Sequence, residues 1–153
     1  ELFNKLNYSK KDIPFEFVQD NFSYSTKGVL RGLHYQLAQE QGKLVTCIRG
    51  RIFDVIVDLR LNSKNFLKHY SVELNSNDFL QLWIPPGFAH GFYVLSEDAL
   101  VVYKCTEFYN PQLERGIIWN DCELGIKWPN QSPILSSKDS NNSTLENALS
   151  ELC

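Results

Sequence analysis

Short runs of apolar residues, separated by turn residues, dominate the chain after its N-terminal segment. The runs are rich in Val, Ile, Phe and Tyr, which favour the pleated, half-buried surface of a sheet. Their length and even spacing are typical of all-β sandwiches and barrels. The pattern predicts strands at residues 16–18, 29–35, 43–48, 52–59, 68–74, 79–84, 91–94, 99–105 and 116–119.

Turn and helix signals complete this outline. Arg49-Gly50-Arg51 is predicted to be a hairpin turn, and residues 75–78 and 85–87 are further breaks. A short helix is expected within residues 3–10. Residues 143–146 have the Ser-x-x-Glu form of a capping box, with Ser143 as the cap, and leucines follow at helical spacing. We therefore expect a mainly β chain, a barrel or jelly roll with short flanking helices.

The segment 53–59 has a strict two-residue period. Phe53, Val55, Val57 and Leu59 point to one face, and Asp54, Ile56 and Asp58 point to the other. An ordinary half-buried strand has this pattern. A strand whose second face lines a polar cavity inside a barrel has it too. Alternation alone does not choose between these two interpretations.

Length and charge exclude several classes of protein. The 153 residues are one domain's worth, and 15 Lys+Arg against 18 Asp+Glu give a formal charge of -3. This balance gives no general attraction to nucleic acid or anionic lipid. No apolar run approaches the roughly 18 residues of a membrane-spanning helix, and no signal peptide is visible. We expect a single cytoplasmic domain, residues 1–153, without nucleic-acid or membrane partners.

The four cysteines are Cys47, Cys105, Cys122 and Cys153, and their spacing matches no zinc site. Two of them lie in apolar strand-like runs. We expect reduced thiols that serve as small core residues, while a disulfide framework stays open as the alternative.

The three histidines are the first candidates for chemistry. His34 has Arg31 before it and Lys43 after it, and an imidazole near cations suits proton abstraction followed by stabilisation of an anion. A metal site of His34, His69 and His90 is the rival interpretation. Small β-barrels of the cupin type commonly hold a metal through a His-x-His pair, but Gln36 occupies the second position here. We expect no metal.

An ordered set of motifs then becomes recognisable, and it closely resembles the dTDP-4-dehydrorhamnose 3,5-epimerase family. The motifs extend to about residue 139 in family order. They are Phe17-Val18-Gln19-Asp20-Asn21, Lys27-Gly28-Val29-Leu30-Arg31-Gly32-Leu33-His34-Tyr35-Gln36, Gln41-Gly42-Lys43-Leu44-Val45, Phe53-Asp54-Val55, Leu82-Trp83-Ile84-Pro85, Gly87-Phe88-Ala89-His90-Gly91-Phe92, Tyr103-Lys104, Trp119-Asn120-Asp121, Ile126-Lys127-Trp128-Pro129 and Leu135-Ser136-Ser137-Lys138-Asp139.

This resemblance implies a metal-free cupin jelly-roll β-barrel, without a cofactor, that acts as a homodimer in dTDP-rhamnose biosynthesis. The family inverts the carbons that flank the ketone of a nucleotide-linked 4-keto-6-deoxyhexose, by enolisation and reprotonation. A proton alpha to a ketone is weakly acidic, so such a site needs a base, a cation at the enolate oxygen and an acid on the other face.

The resemblance also implies the role of each residue. His34 is the base, Asp139 orients it, Lys43 holds the enolate oxygen, and Tyr103 returns the proton. Asp54 is a weaker expectation, as a support for the base. The implied substrate contacts are Glu1, Gln19, Asp20, Asn21, Arg31, Lys43, His90, Glu114 and Lys138. Family members carry a further N-terminal segment before the position of Glu1, which we expect to be missing from this chain.

Three other functions stay open at the level of sequence. A single-site 3- or 5-epimerase of another deoxysugar needs the same base and acid. A non-catalytic cupin that binds a sugar nucleotide needs only the binding residues. The third of them is a metal-dependent cupin oxygenase, which would use the histidines as metal ligands.

Overall fold

The computed structural model describes residues 2–11, 13 and 16–152. Glu1, and with it one predicted substrate contact, lies outside these residues. Within them, the chain forms nine strands and three α-helices. In chain order, these are α1 (Lys5–Tyr8), a 3₁₀ turn (Ser9–Lys11), β1 (Gln19–Thr26), β2 (Leu30–Gln36), β3 (Lys43–Arg49), β4 (Arg51–Asp58), β5 (His69–Asn75), β6 (Gln81–Ile84), β7 (Phe88–Val94), β8 (Asp98–Cys105), β9 (Glu114–Gly116), α2 (Ser137–Ser140) and α3 (Leu145–Leu152).

The strands form two antiparallel sheets that face each other as a jelly roll. One sheet has four strands in the order β1-β8-β3-β6, and the other has five in the order β5-β4-β7-β2-β9. The prediction of a mainly β jelly roll is therefore confirmed. The predicted hairpin at residues 49–51 is wrong, because β3 and β4 belong to different sheets. Gly50, at φ +79°, instead turns the chain from one sheet to the other.

Two apolar cores hold the sheets in place. The core between them includes Val45, Ile52, Val94 and Val101. The second core covers the outer face of the five-stranded sheet, where Val55 and Val57 of β4 pack with Trp128, Leu145 and Ala148. Both faces of β4 are thus buried, which favours the second interpretation of its alternation. Its polar positions face the space between the sheets.

Strands β2 and β7 approach each other very closely next to the two histidines that they carry. His34 and His90 are paired across the two strands. A Cβ atom on Gly32 would lie 2.6 Å from Gly91 Cα and 2.7 Å from the His90 carbonyl oxygen. Gly32 also has φ +117°, a conformation that favours glycine. No other residue type fits this crossing without a shift of the backbone.

Backbone bridges join the segment around α2 to the five-stranded sheet region at both of its ends. Isolated parallel bridges join Val29 to Ile134 and Ile117 to Ser143. Between them, the Ser136 side chain accepts a hydrogen bond from the backbone N–H of Asp139 and caps α2. This arrangement holds Lys138 and Asp139 against β2.

Several predicted boundaries differ from the structure. Residues 16–18 are not a strand, and the strand begins at Gln19 instead. β1 escaped prediction because its inward positions are Gln19, Asn21 and Ser23, which are polar since they line a cavity. The cap of α3 is Thr144, not Ser143, because Thr144 Oγ1 accepts from Asn147 N at 3.3 Å. No helix among the described residues is long and apolar enough to cross a membrane.

Candidate active site

A cavity of about 360 Å³ opens between the two sheets, beside the core that they share. Ten of the residues predicted from the sequence line it, together with six others. The lining consists of Gln19, Asn21, Ser23, Arg31, His34, Gln41, Lys43, His90, Gly91, Phe92, Tyr103, Tyr109, Glu114, Ser136, Lys138 and Asp139.

His34 and Asp139 form a hydrogen-bonded pair at the wall of this cavity. His34 Nε2 lies 2.5 Å from Asp139 Oδ1, although the two residues are 105 positions apart. Asp139 Oδ1 also accepts from Gly32 N at 3.4 Å, and Oδ2 accepts from Ser136 Oγ at 2.8 Å. Burial alone would raise the pKa of Asp139, but the bonds from His34, Ser136 and Gly32 bring it below its usual value. Asp139 is therefore a carboxylate, and it leaves the other ring nitrogen of His34 for the cavity.

Lys43 reaches the cavity from the opposite sheet, at the start of β3. It pairs in the sheet with Cys105 of β8 and with Ile84 of β6. Burial lowers the pKa of Lys43, while Cys105, Glu114 and Asp54 partly offset that shift. A lysine with a lowered pKa is a stronger proton donor than a lysine in water, so this ammonium group suits contact with a developing oxyanion.

Tyr103 lies on β8, in the same sheet as Lys43 and across the cavity from the sheet that carries His34. Burial raises the pKa of its hydroxyl, and Cys105 and Glu114 add to that shift. The hydroxyl is therefore protonated at neutral pH. The base candidate and the acid candidate stand on opposite walls. This arrangement can remove a proton from a carbon beside a carbonyl and return one from the other side.

Glu114 contacts both Lys138 and Tyr109 at the rim of the cavity. Its Oε2 lies 2.5 Å from Lys138 Nζ and accepts from the Tyr109 hydroxyl at 2.5 Å. Burial would raise the pKa of Glu114, but these two bonds and the Lys138 charge bring it below the usual value. The same contact with Glu114 is the main reason why the pKa of Tyr109 rises to about 12. Lys138 is thus held over the cavity by a carboxylate.

Arg31 provides a cation that is not neutralised by a carboxylate. Its Nε donates to Ser25 Oγ at 2.9 Å and its Nη2 to the Tyr24 carbonyl at 3.3 Å. Among the described residues it forms no ion pair with an acid. An oriented guanidinium in this state suits an anionic group such as phosphate.

Two expectations about acids need correction. Asp20 points away from the cavity, because the period of two along β1 directs Gln19 and Asn21 inward and Asp20 outward. Its carboxylate instead lies 2.8 Å from Lys104 Nζ. Asp54 does not support His34, because its two oxygens each lie 2.9 Å from His90 Nε2.

Four residues of the cavity with polar groups escaped sequence reasoning: Ser23, Gln41, Tyr109 and Ser136. Gln41 and Ser136 stand inside motifs of the resemblance, two positions before Lys43 and Lys138, so their position was available as a signal. Ser23 could have been found from the alternation with Gln19 and Asn21. Tyr109 had no signal in the sequence.

The three histidines do not converge. His69 is exposed on β5, at the opposite edge of the five-stranded sheet from β2 and β9. Among the described residues, no cluster of three His, Cys, Asp or Glu side chains could hold a metal ion. The metal site of His34, His69 and His90 is therefore not assembled.

The described cysteines are free thiols: Cys47 and Cys105 are buried, and Cys122 is exposed. The prediction of small core residues is confirmed for the first two. Cys153 lies outside the described residues.

Comparison with known proteins first defines the class. The dTDP-6-deoxy-D-glucose-3,5-epimerase of Legionella pneumophila, solved in complex with dTDP-4-keto-L-rhamnose, superposes with a TM-score of 0.95 at 49% identity, over 99% of this chain and 82% of that one. The 3'-monoepimerase ChmJ of Streptomyces bikiniensis, solved with dTDP-quinovose, gives a TM-score of 0.91 at 33% identity, over 99% and 79% of the two chains. The fold is thus that of the sugar-nucleotide epimerases.

The family follows from the sequence. The model of the family described as dTDP-4-dehydrorhamnose 3,5-epimerase matches residues 1–147. The dTDP-4-dehydrorhamnose 3,5-epimerase of Shigella flexneri is 58% identical over 127 residues, which cover 82% of this chain and 70% of that protein. This chain belongs to the dTDP-4-dehydrorhamnose 3,5-epimerase family.

Proposed function

We propose that this chain converts dTDP-4-dehydro-6-deoxyglucose to dTDP-4-dehydrorhamnose, by enolisation and reprotonation at both carbons that flank the ketone. The observation that carries the proposal is the position of His34 and Tyr103 on opposite walls of one cavity, with Lys43 between the sheets. Inversion requires that a proton leaves one face of the sugar ring and that another arrives on the opposite face.

His34 begins the reaction as the general base. Its Nε2 is bonded to the Asp139 carboxylate at 2.5 Å, so Nδ1 is the nitrogen that takes the proton from the carbon. Asp139 then stabilises the imidazolium that forms, and it stays ionised because Ser136 and Gly32 also donate to it. The three bonds hold the ring in one orientation before the substrate arrives.

Lys43 stabilises the enolate that the base creates. The negative charge moves from the carbon to the ketone oxygen as the proton leaves. A buried ammonium group interacts with that charge more strongly than one in water. The lowered pKa of Lys43 brings it closer to that of the enol, so the group donates a strong hydrogen bond.

Tyr103 completes the inversion as the general acid. Its hydroxyl is protonated at neutral pH, because burial raises its pKa. It delivers a proton to the face of the ring opposite His34, and solvent afterwards restores the protonation of both groups.

The anionic part of the substrate binds at the rim. Arg31 and Lys138 are the cations that suit the diphosphate or sugar oxygens, and Lys138 is oriented by Glu114 at 2.5 Å. Gln19 and Asn21 on β1 offer amide groups to the substrate. Gln19 Nε2 donates a hydrogen bond to Asn21 Oδ1 at 2.9 Å. His90 contacts the sugar from the floor of the cavity.

Isotope exchange tests this function. The protein is incubated with dTDP-4-dehydro-6-deoxyglucose in deuterated water, and label is located by NMR. Deuterium at both flanking carbons is expected. Label at one carbon would instead support a single-site epimerase, the activity named for the relative at 33% identity. Absence of exchange, with binding intact, would support a sugar-nucleotide-binding protein without catalysis.

Two variants separate the base from the acid. His34→Ala should abolish deuterium exchange, whereas Tyr103→Phe should leave exchange at the first carbon and impair inversion. Epimerisation at the parent rate in both variants would refute these assignments.

A homodimer is part of the proposal. The outer face of the four-stranded sheet exposes Phe22 by 73% and Tyr24 by 54%. A groove of about 440 Å³ between the N-terminal segment and the sheet has Leu2, Phe3, Leu44 and Val102 among its lining residues. Exposed apolar patches of this kind mark interaction surfaces.

Sedimentation of the Phe22→Glu variant tests the dimer. We expect it to sediment as a monomer, while Leu61→Glu, which changes an exposed loop residue between β4 and β5, stays dimeric. A parent protein that sediments as a monomer would refute the dimer without touching the chemistry. The cytoplasmic location and the single-domain organisation stay predictions.

A further inference from the structure

A second histidine–carboxylate pair faces the cavity, and the mechanism above does not use its carboxylate. His90 Nε2 on β7 lies 2.9 Å from both oxygens of Asp54 on the neighbouring strand β4. The Asp54 side chain is 0% exposed and that of His90 is 9% exposed. The pair therefore sits deeper than His34 and Asp139.

Asp54 is a buried carboxylate in mainly apolar surroundings. Ile56 and Phe92 lie beside it in the apolar core between the sheets. Among the described residues, Asp54 accepts a side-chain hydrogen bond from His90 alone. A buried carboxylate destabilises a fold unless it is well paired, and an apolar residue of similar volume is often neutral or stabilising at such a site. Packing therefore does not explain the aspartate. Its charge partly offsets the lowering of the Lys43 pKa, but its direct side-chain contact among the described residues is with His90.

The contact with Asp54 favours one tautomer of His90. An ionised carboxylate only accepts hydrogen bonds, so beside it Nε2 carries the hydrogen. Nδ1 is then the second nitrogen of a ring that lines the cavity. It has no hydrogen-bond partner within residues 2–11, 13 and 16–152. A neutral ring in this tautomer offers a bare acceptor to whatever fills the cavity.

We propose that Asp54 is a positioning residue, which holds His90 in the Nε2–H tautomer so that Nδ1 accepts a hydrogen bond from a hydroxyl group of the bound hexose. The proposal rests on the proposed function for the identity of the ligand, but the tautomer itself does not. His90 contacts the sugar, and Asp54, which does not line the cavity, positions His90.

Asp54→Asn tests this role, because an amide can donate to Nε2 and so release the ring from its tautomer. The chain offers a matched control on the same strand and the same face. Asp58 is also buried, and its carboxylate is bonded to Arg60 and Ser63 instead of a histidine. It does not line the cavity. Asp58→Asn removes an equally buried charge without touching His90.

The first measurement is ¹⁵N NMR of the ligand-free protein labelled at histidine. With three histidines in the chain, His69→Gln and His90→Asn assign the spectrum. At about pH 8.5, above the ordinary titration range of histidine, parent and Asp58→Asn should show the Nε2–H tautomer for His90. Asp54→Asn should show the Nδ1–H tautomer or a mixture. An Nδ1–H tautomer in the parent protein overturns the proposal, even if the Asp54 variant does not fold.

The second measurement is steady-state kinetics with dTDP-4-dehydro-6-deoxyglucose. For Asp54→Asn we expect KM to rise about tenfold, the size of one lost hydrogen bond, with kcat reduced less than about threefold. Asp58→Asn should keep both values. Equal KM values for the two variants overturn the sugar contact. Lack of epimerisation by the parent protein would refute the proposed function, while the NMR result for the tautomer would still stand.

Discussion

The two histidine–carboxylate pairs differ in how the carboxylate is supported. Asp139 receives hydrogen bonds from Gly32 and Ser136 in addition to His34, and the His34 side chain is 25% exposed. Asp54 has His90 as its hydrogen-bond donor among the described residues, and that ring is nearly buried. Asp139 thus has donors to its charge other than His34, whereas among the described residues Asp54 relies on His90. A ring beside an independently stabilised carboxylate can gain and lose a proton, and a ring in a closed pair is held in place.

The largest expected difference between the two pairs is in the effect of removing each imidazole ring. We expect His34→Ala to lower kcat by about 10³-fold, because it removes the base. His90→Ala should act mainly on KM, because it removes a contact. The rates are measured by coupled assay and by deuterium exchange. A similar loss of kcat in both variants would mean that the two pairs do the same work.

The crossing of β2 and β7, which sets the distance between the two rings, is the next target. Gly91→Ala should destabilise the fold by about 2 to 4 kcal/mol in urea unfolding, because backbone cannot yield to the added methyl group. Its Cβ would lie 2.7 Å from the Arg31 carbonyl oxygen. Gly125→Ala is the control for crowding. It brings the strain of φ +60° but meets no atom within 4 Å, so a smaller loss of about 1 kcal/mol is expected. An equal decrease in the free energy of unfolding for both variants would mean that β2 and β7 are less closely packed than described.

Acid titration separates the supported carboxylate from an exposed one. The pKa of Asp139 is below its usual value, so the ionised form stabilises the fold above the unfolded pKa. That contribution is lost as the pH falls through the folded pKa. The difference in unfolding free energy between parent and Asp139→Asn should therefore be greatest near neutral pH and shrink from about pH 4 downward.

Asp20→Asn serves as its control, because Asp20 is an exposed partner of Lys104. It should show a small difference throughout. A difference for Asp139→Asn that does not change with pH would contradict the proposed support of its charge.

The smallest expected effect concerns one donor to Asp139. Ser136→Ala removes the bond to Oδ2 and the N-cap of α2. It should lower kcat by about two- to fivefold, because Gly32 and His34 still bond the carboxylate. Ser136→Thr keeps the hydroxyl and should restore the parent rate. If Ser136→Thr is as slow as Ser136→Ala, packing and not the hydroxyl is what matters.

The strands could be predicted where burial made alternation visible, and the site could be predicted where family motifs supplied it. In β4, apolar residues alternate with acids, so the segment was recognised from its period. In β1, the inward residues are Gln19, Asn21 and Ser23, whose polarity hid the same period. A strand that lines a polar cavity thus lacks the signal by which strands are found. Asp20 was expected as a substrate contact from the resemblance alone, with no strand period to place it on the outer face.

The sequence could not predict which histidine Asp54 contacts. Whether Asp54 bonds His34 or His90 depends on which strand lies next to β4, and the sheet order places β7 there. The turn at residues 49–51 failed in the same way, because a tight turn predicts a reversal of direction but not the sheet that receives the chain. Local patterns fix local geometry, and long-range pairing decides the neighbours.

The two bridges that fasten the segment around α2 have a consequence for turnover. Because Ile134 and Ser143 are joined to Val29 and Ile117, the loop that carries Asp139 is closed on the sheet that carries His34. The entropy of closing that loop is lost once, when the chain folds. No part of the substrate's binding energy is then needed to assemble the base with its partner, and that energy remains for interactions made in the transition state.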